Sequence, residues 1–219
     1  MNPQERKSKS IAKLKELGVP FMEHLPVIEG EEEINARSEQ EIAKRAIACV
    51  LTIQLACNFS KEENSIIAES KCCLMKHAVK FGVDRNFTEE EQTFFTGIPY
   101  SWSICDMIWK FDAYWILLWA LGIVDELTYP DSICDCDAAI NAVADCADFD
   151  DFIKQVKLRS ISEILDEADL IFRYHWACDD ALINGRNAPK NLHPGVVLER
   201  HRGLRWLIGK GVHEFEEWN

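Results

Sequence analysis

Residues 101–122 read SWSICDMIWKFDAYWILLWALG, and this stretch decides the fold. At helical spacing, Trp102, Trp109, Ile116 and Trp119 form one stripe, while Tyr114, Trp115, Leu118 and Leu121 cover much of the remaining surface. A helix that is apolar almost all round is buried, so a central helix over about 101–122, wrapped by the others, is expected. So many aromatic side chains in one helix mark core packing rather than a cofactor box. Its longest apolar run, residues 113–124, is too short for a bilayer span, which needs about 20 apolar residues.

Outward from this segment, the short-range signals are nearly all helical. Four capping boxes can be read directly: Ser38 with Glu41, Ser60 with Glu63, Thr88 with Glu91, and Ser160 with Glu163. In each, a hydroxyl accepts an orphan N–H while the acid reaches back to the cap. Helices are expected over about 10–17, 38–58, 60–81, 88–96, 137–146, 148–157 and 160–184. A last helix starts at Pro194, since proline suits a first turn. No alternating strand pattern and no internal repeat emerges. The expected fold is all-α: a single multi-helix domain over 37–219, with an N-terminal helix and extended arm, 1–36, packed on it.

Composition bounds the rest. The 219 residues are 47% hydrophobic, enough for one sizeable core, and the formal net charge is −13. A nucleic-acid binder shows a basic footprint, so that partner class is disfavoured, as is a membrane. The polar start carries no apolar segment of a secretion signal, and the nine cysteines follow no disulfide rhythm. The expectation is a cytoplasmic protein with reduced thiols. Charge is also uneven: residues 111–153 hold ten acids and no Lys, Arg or His, while residues 185–211 hold six Lys or Arg against Glu199 alone. The two stretches either attract one another within the fold or present an acidic face to a basic partner.

The residues that break the apolar pattern are the candidate site. On the 160–184 helix, His175 lies on the stripe of Ile161, Ile164, Leu165, Ala168, Ile171, Phe172 and Leu182, with Asp179 four residues on. On the last helix Arg200 sits amid Val196, Val197, Leu204, Leu207 and Ile208, and Glu199 lies off that stripe. Asp112 is flanked on its own face by Ile108, Trp109, Trp115 and Ile116. Buried charges cost several kcal/mol unless paired. Asp112 or Asp179 should therefore meet Arg200, and Asp179 should meet His175. Such a network either fixes helix register or forms a site. Cys178 shares a face with His175, but a mid-helix thiol is ordinarily packing, so a nucleophilic dyad is disfavoured.

No metal and no cofactor is expected. Cys73 and His77 have i, i+4 spacing, but there is no CxxC pair and no HExxH, and the P-loop and G-x-S-x-G signatures are missing. Glu163, Asp166, Glu167 and Asp169 cluster as a carboxylate-bound magnesium site would, yet acids also favour a helix N-terminus for electrostatic reasons alone.

Several stretches together resemble a known family. They are Arg37-Ser38 with Glu41-Ile42-Ala43-Lys44-Arg45-Ala46, then Phe111-Asp112-Ala113-Tyr114-Trp115-Ile116-Leu117-Leu118-Trp119-Ala120-Leu121-Gly122, then Asp169-Leu170-Ile171-Phe172-Arg173-Tyr174-His175-Trp176-Ala177-Cys178, and Pro194-Gly195-Val196-Val197-Leu198-Glu199-Arg200-His201. Over nearly the whole chain this resembles the domain of unknown function 4272 family, mainly bacterial proteins. The resemblance implies a helical, cytosolic protein and carries no assigned activity.

Three function classes follow. The first is a non-enzymatic macromolecule-binding or regulatory protein, immunity-like in character, whose partner is an unknown protein. The second is a small-molecule-binding protein or enzyme using His175, Asp179, Glu199 and Arg200, with Arg173 or Arg186 holding an anionic group and Asp112 in the network. The third is a magnesium-dependent nucleotide hydrolase using the acids between 163 and 169. A monomer and a homodimer fit equally.

Overall fold

The computed structural model describes residues 1–61 and 64–209. In chain order the helices are α1 (Pro3–Leu17), α2 (Glu39–Lys61), α3 (Asn64–Lys80), α4 (Glu89–Thr96), α5 (Ser101–Trp109), α6 (Phe111–Ala120), α7 (Cys136–Ala144), α8 (Phe149–Ile153), α9 (Ile161–Ile183) and α10 (Pro194–Leu207). Short 3-10 turns lie at Glu31–Glu33 and Pro189–Asn191, and there is no strand among the described residues. The fold is all-α, as its sequence patterning requires.

The helix starts follow their caps. Glu41 N–H donates to Ser38 Oγ at 3.3 Å while Ser38 N–H donates to the Glu41 carboxylate at 2.9 Å. Thr88 with Glu91 and Ser160 with Glu163 make the same reciprocal pair. Of the expected Ser60–Glu63 box, Glu63 lies outside the described residues, and Ser60 does not open a helix: it lies inside α2, where its Oγ donates to the Cys57 carbonyl at 2.8 Å. The first helix begins seven residues earlier than its apolar spacing indicates. Asn2 accepts from Glu5 N–H at 2.8 Å, and Pro3 occupies the first turn, where its missing N–H costs nothing.

Two helices form the centre. In α6, Phe111 to Tyr114 and Ile116 to Ala120 are all buried, leaving only Trp115 partly exposed. In α2, the run from Ile42 through Ala56 is almost wholly buried; it is long and apolar enough to cross a membrane by length and composition, but 72% of its apolar window lies inside this fold. α10 packs across α6 and against α9. At the crossing, a Cβ on Gly203 would come within 3.0 Å of the Ala113 carbonyl oxygen, so the absence of a side chain sets how closely the two backbones approach.

The expected central helix over 101–122 is in fact two. The chain turns at Lys110, whose N–H reaches back three residues to Met107 O at 3.2 Å. That tightened turn starts a new axis, so a stripe extrapolated at 3.6 residues per turn does not carry across it. Ile116 and Trp119 are buried, whereas Trp102 is 62% exposed and Trp109 37% exposed. The expectation that these two tryptophans lie in the core is corrected here: they stand on the outer side of α5.

The N-terminal arm is held by guanidinium groups. Arg6 on α1 is fully buried; it donates to the Glu29 carbonyl at 3.1 Å and to Asp166 on α9 at 3.3 Å. Arg173 on α9 donates to the Pro26 carbonyl at 3.3 Å. The arm therefore gives up its backbone acceptors to buried cations, which satisfies groups that would otherwise be orphaned.

Candidate functional site

Arg200 meets Asp112, not Asp179. Arg200 Nε donates to Asp112 Oδ1 at 3.2 Å and Nη1 to the Thr128 carbonyl at 2.6 Å, and both side chains are buried to 1% exposure. The second Asp112 oxygen accepts Cys134 N–H at 3.3 Å. This cluster stitches α6, α10 and the 128–134 loop together. Burial holds the Asp112 carboxyl above the ordinary carboxylate range, although Arg200 pulls the other way. Desolvation thus outweighs pairing, as in many buried ion pairs.

α9 carries a second closed pair. Arg173 makes a bidentate contact with Asp169, at 2.8 and 2.7 Å, and neither side chain is exposed. The buried face of this helix runs through Ile164, Leu165, Ala168, Asp169, Ile171, Arg173, Tyr174, Ala177, Cys178 and Ala181. Leu182, placed on the stripe by its spacing, is exposed where the helix runs past the core. Asp169 was legible only as one of a group of acids; its i, i+4 relation to Arg173 is the signal that identifies the pair.

His175 and Asp179 sit at the rim of the same helix. Their Nδ1 and Oδ2 atoms are 3.4 Å apart, with Asp179 exposed. The His175 ring stacks on His201 at 4.6 Å. Arg186 is exposed and pairs with Asp180. Glu199 is buried and accepts from Arg202 at 2.6 Å. The seven candidate residues therefore do not converge. Asp112 and Arg200 are in one closed cluster, Arg173 in another, His175 and Asp179 at a rim, Arg186 on the surface, and Glu199 beside a separate cavity.

Burial, with the neighbouring His175, Arg205 and Arg202, pushes the His201 imidazole down to about 3, from an ordinary value near 6.5. The fold thus favours neutral His201. Its contribution to stability is complete above pH 6.5 and is lost as pH falls from there toward 3. A His201→Gln variant should lose less stability than the parent over that window in urea titrations at stepped pH. Parallel curves would show that His201 does not carry the effect.

Among the described residues no thiol or metal site is assembled. Burial and the Asp179 charge push the Cys178 thiol up to about 11, the reverse of an activated nucleophile. All nine cysteines are free. Among the described residues no group of three His, Cys, Asp or Glu side chains is placed to hold a metal. The acids between 163 and 169 disperse: Glu163 caps its helix, Asp166 pairs with Arg6 and Lys9, and Asp169 pairs with Arg173. Glu167 lies in a groove facing α1, its carboxyl raised to about 7 by burial. A magnesium site on these four residues is not formed, because helix spacing points them at different neighbours.

Two of the concave features among the described residues lie away from α9. One, of about 660 Å³, lies between the starts of α2 and α4 and holds Arg37, Lys44, Arg45 and Arg85. Chemically it can take an anion, but Arg45 is already paired with Glu91, and Arg37 lies over the Trp206 ring with Glu41 3.9 Å away. The other, of about 280 Å³, lies between α5 and the start of α10 and includes Trp102, Trp109, Glu90, Lys110 and Glu199. Beside it, the Tyr100 and Trp102 rings stack in parallel at 5.9 Å, Tyr100 is 73% exposed, and Ile98 is also exposed. Such a patch of large apolar side chains on the surface is a mark of recognition.

Residues 6–219 match the family profile described as "Domain of unknown function (DUF4272)". No curated protein and no solved structure matches the chain.

Proposed function

Because the chain belongs to the DUF4272 family, whose description names no activity, we propose its function from geometry alone: a non-enzymatic, cytoplasmic binding protein that docks a basic partner protein. The docking face is the one made by Ile98, Tyr100, Trp102 and Trp109. The carrying observation is the parallel, solvent-facing Tyr100–Trp102 pair next to a cavity that holds buried carboxylate oxygens without donors. Tyr, Trp and a ring of polar groups around a pocket are the composition of binding hot spots. The four-cation cleft is a weaker candidate, since Arg45 and Arg37 already have carboxylate neighbours.

Charge supports a basic partner. The net charge is −13, and Asp125, Glu126, Asp131, Asp135, Asp137, Asp145, Asp148 and Asp150 are all exposed. This segment reaches the aromatic face: the Pro130 carbonyl accepts His193 N–H at 2.8 Å, and the His193 ring packs on Trp109 at 5.4 Å. Such a field speeds encounter with a cationic protein and makes the rate salt-dependent. The closed pairs Arg200–Asp112 and Arg173–Asp169 are better read as fold-fixing than as catalytic groups, because both are sealed from solvent.

A photo-crosslinking residue at Tyr100 tests this in the native host. The expected result is a discrete adduct with a basic protein, weakened by added salt, lost on Trp102→Ala, and not formed from the exposed position Val79. An acidic or salt-indifferent adduct overturns the reading. So does a dimer of this chain in sedimentation that Trp102→Ala dissociates, which would make a second copy the occupant.

A further inference from the structure

The cavity beside the aromatic face has an unusual inventory of acceptors. Glu199 is 3% exposed; its Oε1 accepts from Arg202 at 2.6 Å, while its Oε2 is buried and has no hydrogen-bond donor. Glu90 comes from a different helix, α4. Its Oε1 accepts from Ser103 Oγ at 3.0 Å, and its Oε2 is likewise buried with no donor. Buried carboxylate oxygens in folded proteins are nearly always paired, so two of them lining one cavity call for a reason. Lys110 and Arg202 also line the cavity, against the three carboxylates of Glu90, Asp106 and Glu199. Carboxylates are therefore in excess by one.

The walls are aromatic. Trp109 is wedged between the His193 ring and Gly195, where a Cβ would come within 3.0 Å of the indole. Trp102 is stacked on Tyr100. Both indoles line the cavity. A group that satisfies this space must donate at least two hydrogen bonds in different directions, carry positive charge and present a flat face to indole. A guanidinium does all three, with five N–H donors in a planar fork that stacks on aromatic rings. A compact ammonium has donors but no flat face.

We propose that this cavity is a socket for an arginine side chain of the partner protein, with the guanidinium bridging Glu199 and Glu90 and lying against the tryptophan wall. The proposal rests on the docking face described above and specifies what enters it. Burial raises the Glu199 carboxyl above the ordinary range, even with Lys110 and Arg202 nearby, so an entering cation would lower it. An apolar rim on Tyr100 and Ile98 would exclude water from the contact and strengthen it.

The test uses the full chain and small probes. The indole N–H resonances of Trp102 and Trp109, assigned with Trp→Phe variants, are followed during titration with methylguanidinium, methylammonium and the neutral isostere methylurea. Methylguanidinium should shift both resonances saturably, and methylammonium should bind more weakly. Methylurea should leave them in place. Glu199→Gln and, separately, Glu90→Gln should each weaken methylguanidinium binding about tenfold, the loss of one charge-assisted contact. Glu90 is only partly buried, so that variant keeps the test valid should Glu199→Gln disturb the fold. Equal binding of methylurea, or indifference to both substitutions, overturns the socket. The docking face is judged separately by the Tyr100 crosslink: an adduct that survives Glu90→Gln unchanged, with no methylguanidinium binding, ends the socket and leaves the face standing.

Discussion

Arg200→Leu should lower folding stability by about 3–5 kcal/mol, read as a fall in the urea midpoint. The substitution leaves the Asp112 carboxylate at 1% exposure with only Cys134 N–H as donor, and it orphans the Thr128 carbonyl. Leucine fills part of the space and removes the buried cation, so the loss comes from the stranded acid and not from a void. The double variant Arg200→Leu with Asp112→Asn should then recover more than half of the loss. An amide still accepts from Cys134 but carries no charge to desolvate. Recovery would establish the pair as a register-fixing device whose own net contribution is small, consistent with the raised Asp112 carboxyl. A single variant as stable as the parent, or a double variant no better than the single, would refute this account.

Arg173→Leu should cost a similar amount, about 3–5 kcal/mol, for the same reason: Asp169 is left without its bidentate partner at zero exposure. It should also do something Arg200→Leu does not. Arg173 donates to the Pro26 carbonyl, so its loss frees one of the arm's backbone acceptors. Limited proteolysis should cut the arm between α1 and α2 faster in Arg173→Leu than in Arg200→Leu at matched overall stability. Equal cleavage rates would mean that Arg6, through Ile28 and Glu29, secures the arm without help.

Some of the charged residues in the stretches that carry the resemblance, Asp112, Asp169, Arg173 and Arg200, belong to these two clusters. Arg173 and His175 fall in one stretch, Glu199, Arg200 and His201 in another, and Asp112 in a third. Two of those residues, Asp112 and Arg200, meet directly. Inside an apolar core such a pair confers specificity of packing: α6 and α10 can slide along one another only by breaking the buried Asp112–Arg200 pair.

The sequence by itself determined the helical class, most helix starts and the pairing requirement. Capping is local chemistry, decided within four residues, so Ser38, Thr88 and Ser160 could be read without tertiary information. A charge on an apolar stripe must be paired whatever the fold, so Arg200 was legible as an ion-pair member while its partner was not. Choosing Asp112 over Asp179 depends on which face of α6 meets α10, a contact between residues 88 positions apart. Only the tertiary structure decided that Asp179 stays at the surface, that Arg6 and Arg45 are buried, and that Trp102 and Trp109 are not. The last case shows the limit most clearly. Helical spacing reports which residues share a face only while the axis is unbroken, and the turn at Lys110 re-aims every side chain before it, converting part of an expected core stripe into an exposed recognition surface.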